Sequence, residues 1–288
     1  MTGAEVVTTV ADLISRMDGE RAAGRSVGLV PTMGFLHEGH ASLVDAAVAD
    51  NDVTVVSIFV NPLQFAPGED LADYPRDLAA DLEVCALHGA DLVFHPTVDE
   101  MYPEVGMSAV EVGEVARPLE GASRPTHFPG VAAAAARLFG ILGACSAYFG
   151  EKDFQQLAVV RRMVADLSMP VEVVGCPIVR EVDGLALSSR NVYLTAAERA
   201  EAPVLHRALR AGAAVVSAGE RDPAAVVSLM AGLIGRAVTA ELDYAAVVRP
   251  DTYVTPSLLG GPGHEVRLLV ACRFGRARLI DNMAAVSP

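Results

Sequence analysis

The sequence lacks the features that would place it in a membrane, in a secreted compartment or on nucleic acid. Although 52% of its 288 residues are hydrophobic, no apolar run is long enough to span a bilayer. The N-terminal residues contain no basic region followed by an apolar block, so we expect no signal peptide. The net charge of −14 argues against a general nucleic-acid-binding surface, because phosphate binding needs a basic face.

Cysteine is scarce, and the cysteines that are present lie far apart in the sequence. No two of them form a CxxC pair, so their spacing predicts neither a zinc site nor a disulfide framework. We expect buried, reduced thiols in a cytoplasmic protein. The four positions are Cys85, Cys145, Cys176 and Cys272.

Lysine is almost missing. Lys152 is the sole lysine among 22 basic residues, and the others are all arginine. A compact ammonium group and a planar guanidinium group are not interchangeable. We therefore expect that a chain that otherwise uses arginine keeps its one lysine for a function. The alternative is drift in codon usage with chance survival of one surface lysine.

Residues 27–40, VGLVPTMGFLHEGH, carry the strongest local pattern. The segment begins as a short apolar strand that Pro31 is expected to end, since proline has no backbone donor. Gly34 then allows a tight turn, and His37 and His40 lie three residues apart on one face of a helix start. A strand, a turn and a helix N-terminus direct free backbone N–H groups and the helix dipole at one spot. The pattern predicts an anion site.

Two later strands are followed by polar residues in a similar way. Asn61 and Gln64 follow a buried strand over 53–60, and a short strand over 147–149 leads into a glycine turn and a helix start over 150–156. The alternation of strands and helices predicts a doubly wound parallel sheet, whose ligands bind beyond the carboxyl ends of the strands. Asn61 and Gln64 are therefore either substrate-binding amides or solvated loop amides.

The length of the chain predicts two domains. We expect a Rossmann-like domain over residues 1–178 that begins with an amphipathic helix from Glu5 to Gly24. A smaller α/β lid domain is expected over residues 179–288, where a polar hinge-like segment precedes two alanine-rich helices and three short strands.

Residues 97–130 show little regular pattern. A loop of this length inside a compact domain is usually a lid, a binding loop or an interface segment. It contains Glu120, Arg124 and His127. A substrate contact, a dimer contact and simple solvation all stay open for these three side chains.

Several segments, taken in order, closely resemble the motifs of one family. PTMGFLHEGH, SIFVNPLQF, FGEKDFQQ, LSSRN and RLIDN resemble the pantoate–β-alanine ligases, a family of the nucleotidyltransferase superfamily with an HxGH signature. The resemblance spans about residues 27–282. It implies a homodimeric enzyme of pantothenate and coenzyme A biosynthesis that acts on small molecules. In the implied reaction, ATP and (R)-pantoate give pantoyl adenylate and pyrophosphate, and β-alanine then gives pantothenate and AMP.

The resemblance also implies catalytic and nucleotide-binding residues. Attack of a carboxylate on the α-phosphorus of ATP needs positioning and charge stabilisation more than covalent work by the protein. His40 matches the family's proton donor, and Lys152 and Arg190 would supply cations toward the phosphates. The expected catalytic residues are His37, His40, Lys152, Ser188, Ser189 and Arg190. The expected ATP-binding residues are Pro31, Thr32, Met33, Gly34, His37, Gly39, His40, Gly150, Lys152, Asp153, Val179, Leu187, Ser188, Ser189 and Arg190.

Further residues are implied for the organic substrates and for a metal. Pantoate and β-alanine are expected to contact Met33, Asn61, Gln64 and Gln156. Mg²⁺ is expected with ATP because it bridges phosphate oxygens. Family members often carry adjacent acidic residues where this chain has Ala80-Asp81, so Asp81 is the expected metal ligand, and phosphates and water are expected to supply most of the coordination.

Two other functions stay open at this point. An adenylyltransferase that acts on a phosphate ester would not need the pair of glutamines Gln64 and Gln156. A non-catalytic nucleotide-binding module would tolerate loss of His40 or Lys152, and both are present. A class I tRNA synthetase is disfavoured by the acidic charge and by the absence of an anticodon-reading extension.

Overall fold

The computed structural model describes residues 3–103, 108–261 and 263–288, which form two compact units. The first unit runs to Glu151 and continues over Gln155–Pro177, and the second comprises Lys152–Phe154 and Ile178–Pro288. Across these described ranges, no helix is long and apolar enough to cross a bilayer. The division into domains at 178/179, and the lid role of the second domain, stay predictions.

The first unit is built on a six-stranded sheet in which every neighbouring pair is parallel. Its strands are β1 (Glu5–Val7), β2 (Val27–Thr32), β3 (Val53–Ile58), β4 (Leu92–Phe94), β5 (Cys145–Gly150) and β6 (Val171–Cys176). Their order across the sheet is β1-β4-β3-β2-β5-β6. All six residues of β3 are buried, as the unbroken apolar run predicts. The expected doubly wound parallel sheet is confirmed.

Helices connect these strands and supply the core that covers them. Leu43, Val44 and Ala47 pack in one buried cluster with Val30 and Val56 of the sheet, which fixes the helix that follows β2. The helices of this part of the chain are α1 (Val10–Ala22), α2 (Glu38–Asp50), α3 (Leu78–Leu87), α4 (Val98–Met101), α5 (Glu120–Ser123), α6 (His127–Leu142) and α7 (Phe154–Asp166).

The helix expected from Glu5 to Gly24 is too long at its N-terminal end. Residues Glu5–Val7 form an edge strand paired with β4, and α1 begins only at Val10. The Thr9 side chain accepts a hydrogen bond from Asp12 N at 3.1 Å, which is the N-cap that starts the helix. Three strand residues are too few to show a period of two in the sequence.

Pro31 lies inside β2 rather than ending it, so that part of the prediction is wrong. Pro31 and Thr32 continue the parallel register with β3. The Thr32 carbonyl accepts from Phe59 N at 3.0 Å, so the alternate residue Pro31 turns its nitrogen away from β3. On that other side, the pairing of β2 with β5 covers Gly28 and Leu29. The missing N–H of Pro31 therefore removes no ladder hydrogen bond.

The segment expected to lack regular structure, residues 97–130, contains short helices. α4 and α5 lie within it, and α6 begins at His127, one turn before the alanine-rich stretch that predicts it. Residues 104–107 of this segment lie outside the described residues.

The second unit contains a three-stranded antiparallel sheet in the order β7-β8-β9, with strands β7 (Ala240–Val248), β8 (Glu265–Phe274) and β9 (Ala277–Val286). Its helices are α8 (Ala196–Glu201), α9 (Val204–Ser217) and α10 (Pro223–Ile234). Leu205, Leu209 and Met230 of the helices share one buried cluster with Leu268 and Phe274 of β8. The expected smaller α/β domain is confirmed.

Candidate active site

The turn between β2 and α2 is held by Asp81, which reaches it from α3. Asp81 Oδ2 accepts from Phe35 N at 2.9 Å, and Oδ1 accepts from Leu36 N at 2.7 Å. Gly34 and Phe35 both have positive φ, 83° and 52°, and a Cβ on residue 34 would lie 2.8 Å from Asp81 Oδ2. Burial raises the pKa of Asp81, although both backbone N–H groups favour its ionised form. The carboxylate thus fixes the shape of the turn.

This role differs from the metal-ligand role expected for Asp81. Its side chain is 3% exposed, and each oxygen already accepts a backbone hydrogen bond. Within the described ranges, no group of three or more His, Cys, Asp or Glu side chains is arranged to hold a metal ion. Asp77, one turn earlier, caps α3 by accepting from Ala80 N at 3.1 Å.

The two signature histidines form a capping box at the start of α2. His37 is the N-cap residue, and its Nδ1 accepts from Gly39 N at 3.1 Å. His40 Nδ1 accepts from His37 N at 3.4 Å, and the two ring centroids are 4.1 Å apart. Since Nδ1 is the acceptor in both rings, each neutral imidazole carries its proton on Nε2. Two Nε2–H donors therefore stand at a helix N-terminus, where an anion is favoured.

Asn61 supports the neighbouring corner of the sheet, where the chain leaves β3. Its Nδ2 donates to Gln64 Oε1 at 3.1 Å and to Gly130 O at 3.0 Å. Its Oδ1 accepts from Leu63 N at 3.2 Å and from Tyr102 Oη at 3.0 Å. These four bonds use both donors and both lone pairs of an amide that is 2% exposed. All four hydrogen-bonding positions of Asn61 are thus engaged by protein groups, and one of these groups is the Gln64 side chain.

Gln64 and Met33, both of which are expected to contact substrate, meet at this corner. Because β2 and β3 are adjacent and in register at their ends, the segments that follow them lie side by side. Gln64 Nε2 points at Met33 Sδ, 2.9 Å away. A thioether is a weak acceptor, so a substrate oxygen would be a stronger partner for this donor.

Arg124 and His127, whose roles the sequence leaves open, contact the main chain of Gln64. His127 Nδ1 lies 3.1 Å from Gln64 O, and Arg124 donates to the same oxygen at 3.4 Å. Arg124 also makes a two-pronged ion pair with Glu69, with both distances 2.7 Å. Burial opposes ionisation of Glu69, but the hydrogen bond and charge of Arg124 outweigh it and lower the pKa of Glu69.

The two consecutive glutamines of α7 have different environments. Gln155 is 2% exposed, its Nε2 donates to Val115 O at 3.0 Å and Pro118 O at 2.8 Å, and its Oε1 accepts from Glu120 N at 3.1 Å. Gln155 thereby ties the start of α5 to α7. Gln156, the expected substrate ligand, is only half-buried.

Lys152 and Ser188, both in the second unit, line one small cavity together with Asn191 and Asp281. The lysine side chain is 21% exposed, and its Nζ lies 3.7 Å from Asp153 Oδ1. Its main-chain carbonyl accepts from Asn282 Nδ2 at 2.9 Å. Asn282 lies in the RLIDN motif, and residue chemistry alone gave it no role.

The serine-arginine segment is a tight turn closed by its own side chains. Ser188 Oγ accepts from Arg190 N at 3.3 Å and caps the 3-10 turn Ser189–Tyr193. Leu187 N donates to Val179 O at 3.0 Å, so the two apolar residues expected beside adenine are neighbours. These contacts gather Val179, Leu187, Ser188, Ser189 and Arg190 in one segment of the second unit.

Comparison with known proteins gives full-length matches. A sequence profile of the pantoate-beta-alanine ligase family matches residues 5–284. The chain is 51% identical over 268 residues to the pantothenate synthetase of Acidobacterium capsulatum, covering 93% of this chain and 89% of the relative. It is 48% identical over 284 residues to that of Geobacillus kaustophilus, covering 98% and 93%.

Solved structures match the fold over the same length. Pantothenate synthetase from Thermus thermophilus has a TM-score of 0.91 at 49% identity, covering 99% of this chain and 100% of that one. Pantoate-beta-alanine ligase from Francisella tularensis, complexed with beta-gamma ATP and beta-alanine, has a TM-score of 0.79 at 31% identity, covering 97% of each chain. The chain therefore belongs to the pantoate–β-alanine ligase family, and it catalyses the ATP-dependent condensation of pantoate with β-alanine to pantothenate.

Proposed function

We propose that the condensation proceeds through pantoyl adenylate. The carboxylate of (R)-pantoate attacks the α-phosphorus of ATP and pyrophosphate leaves; the β-alanine amine then attacks the acyl carbon, and AMP leaves with the C–O electron pair. The observation that carries this proposal is the meeting of two sites at one sheet edge. The histidine donors at the start of α2 follow β2, and the Gln64–Met33 pair joins the ends of β2 and β3.

The phosphates are proposed to bind donors around the turn after β2. His37 and His40 donate through Nε2–H, and Asp81 holds the turn that leads into α2 by accepting from Phe35 N and Leu36 N. The ATP-binding residues proposed here are Pro31, Thr32, Met33, Gly34, His37, Gly39, His40 and Gly150.

The cations and the adenosine contacts are proposed to come from residues that follow β5 and from the serine-arginine segment. Lys152 and Arg190 offset the negative charge that grows on the phosphates, because fixed charges in a desolvated site need no reorganisation during the reaction. Ser188 and Ser189 add hydroxyl donors. Asp153 accepts from the ribose hydroxyls, and Val179 and Leu187 flank the adenine.

Pantoate is proposed to bind Gln64 and Gln156 beside Met33, and Gln64 also faces the incoming β-alanine. Asn61 contributes by holding Gln64 Oε1 at 3.1 Å, which leaves Gln64 Nε2 as the donor offered to substrate. The Francisella tularensis relative, with 31% identity over 97% of the chain, was solved with beta-alanine bound, which supports a β-alanine site in this fold.

Half-reactions test the proposed pathway. With ATP and pantoate alone, the enzyme is expected to release about one pyrophosphate per active site and to hold the adenylate. Addition of β-alanine should then release AMP and pantothenate in equal amounts. Steady AMP formation without β-alanine would contradict the proposal.

The residues present do not fit a protein-held magnesium ion, since both Asp81 oxygens are engaged by the turn. We propose that Mg²⁺ enters with ATP, bound to phosphate oxygens and water. Mg²⁺ would neutralise part of the negative charge of the phosphates.

Asp81→Asn tests whether Asp81 binds the metal ion or instead holds the turn after β2. An amide offers one oxygen to two backbone N–H groups, so we expect a loss of about 1–3 kcal/mol in the free energy of unfolding. The Mg²⁺ concentration for half-maximal rate at fixed ATP should stay unchanged. Asp77→Asn is the matched control on the same helix, because asparagine is an equally good N-cap. A large rise in the Mg²⁺ requirement for Asp81→Asn alone would restore its metal role.

We also propose the homodimer and the cytoplasmic location that the family resemblance implies. Light scattering should give twice the chain mass of 30.1 kDa, whereas 30.1 kDa itself would overturn the dimer.

The cysteines suit the proposed cytoplasmic location. All four are free thiols, and burial raises the pKa of Cys85 and Cys272 to about 12, which suits a reducing compartment.

A further inference from the structure

The segment Lys152–Phe154 is fastened to the sheet of the second unit at both of its ends. Asn282 Nδ2 on β9 donates to the Lys152 carbonyl oxygen at 2.9 Å. Two residues further on, the guanidinium carbon of Arg267 lies 3.7 Å from the centroid of the Phe154 ring, a cation–π contact. These two contacts explain why three residues flanked on both sides by first-unit chain belong to the second unit.

The Asn282 amide has its orientation set by its neighbours. Its Oδ1 accepts from Arg267 Nε at 2.8 Å, and its backbone N–H donates to Asp281 Oδ1 at 2.7 Å. Asp281 in turn is held by Arg180 through two bonds of 2.7 and 2.8 Å. Because Oδ1 must face the Arg267 donor, Nδ2 must face the Lys152 carbonyl. The asparagine is 2% exposed, so water does not compete for it.

We propose that Asn282 is a positioning residue for Lys152, and that Arg267 holds Asn282 in the orientation this requires. The proposal rests on the proposed role of Lys152 in charge stabilisation. A lysine side chain extends its main-chain position through four rotatable bonds, so a shift at the carbonyl is carried to the ammonium group. A misplacement of about 1 Å can cost up to about a hundredfold in rate. The loss falls on kcat, because the charge that the ammonium meets develops in the transition state.

Asn282→Asp tests this contact with little change in size. The aspartate keeps an acceptor for Arg267 but presents a carboxylate oxygen, in place of a donor, to the Lys152 carbonyl. We expect kcat for pantoate-dependent pyrophosphate release to fall about tenfold, with KM for β-alanine unchanged. In a Lys152→Ala background, Asn282→Asp should cause no further fall, because the group that it positions is gone.

Two further variants supply a control and a second test of the positioning role. Arg278→Gln is the matched control on β9, the strand of Asn282: it breaks an ion pair of 2.7 Å with Asp243 of β7 and should leave kcat unchanged. Phe154→Leu removes the ring under Arg267, and its smaller fall in kcat should likewise vanish in the Lys152→Ala background. If Asn282→Asp does not fold, Phe154→Leu carries the test.

The outcomes distinguish failure of the positioning role of Asn282 from failure of the proposed role of Lys152. Equal falls in the wild-type and Lys152→Ala backgrounds would overturn the positioning role, and so would unchanged kcat in Asn282→Asp. Wild-type turnover in Lys152→Ala itself would instead overturn the proposed role of the lysine, and any effect of Asn282→Asp would then have another cause.

Discussion

Replacing Lys152 with alanine is expected to slow formation of pantoyl adenylate about a hundredfold or more. The ammonium group is the compact cation proposed to meet the charge that develops on the phosphates, and loss of one preorganised group of this kind costs about that much. Pyrophosphate release from ATP and pantoate measures the effect directly. The thermal midpoint should hardly move, since the ion pair of Lys152 is 3.7 Å long and its partner Asp153 is 47% exposed.

The composition of the chain offers an independent control. Because Lys152 is the sole lysine, an amine-acylating reagent modifies it and the N-terminal amine alone, and mass spectrometry separates the two. ATP should protect Lys152 and leave the N-terminal amine reactive. Lys152→Arg should recover little of the rate, since a planar fork does not replace a point charge. Full turnover of Lys152→Ala, or acylation unaffected by ATP, would remove the lysine from the mechanism.

His40→Ala is expected to reduce turnover by a similar factor, about a hundredfold, because the Nε2–H donor to the phosphates is lost. The same substitution also removes the acceptor for His37 N, which should lower the free energy of unfolding by about 1 kcal/mol. Turnover and thermal unfolding, measured on one preparation, quantify the two losses separately.

His40→Gln separates the two losses. Glutamine at the third helical position can complete a capping box, so it should restore most of the stability. It cannot restore the imidazole donor, and the rate should stay low. If the rate of His40→Gln returned to the wild-type value along with its stability, His40 would serve the helix start and not the chemistry.

The sequence predicts those parts of the fold that carry a long, regular pattern. Buried strands such as Val53–Ile58 and the alternation with helices identify the parallel sheet, and the three C-terminal strands are found in order. The edge strand Glu5–Val7 is missed because three residues carry no measurable period, and its pairing with Leu92–Phe94 spans a long stretch of chain. Pro31 is misjudged because its effect depends on which side its nitrogen faces, and sequence alone does not show this.

For the site, motifs predict candidate residues but do not show which of them contact substrate and which hold the protein's own backbone. Gln155 and Gln156 are identical in type and adjacent, yet one closes a buried loop and the other is half-buried. Asn61 and Asp81 fall within or beside expected binding motifs, and both are engaged by the protein's own backbone. Whether such a side chain faces a ligand or the protein backbone depends on contacts between residues far apart in the sequence, such as the contact of Asp81 with Phe35 N.

The attachment of Lys152–Phe154 to the C-terminal unit has a practical consequence for dissecting enzymes of this architecture. The polypeptide crosses from one unit to the other at residues 151/152, 154/155 and 177/178. A fragment cut at 177/178 would separate Lys152 from the second unit, to which it belongs. A chimera joined at 177/178 would place the Lys152–Phe154 segment of one parent against the residue at position 282 of the other parent. Swapping halves between relatives should therefore require exchanging this tripeptide together with the C-terminal sheet.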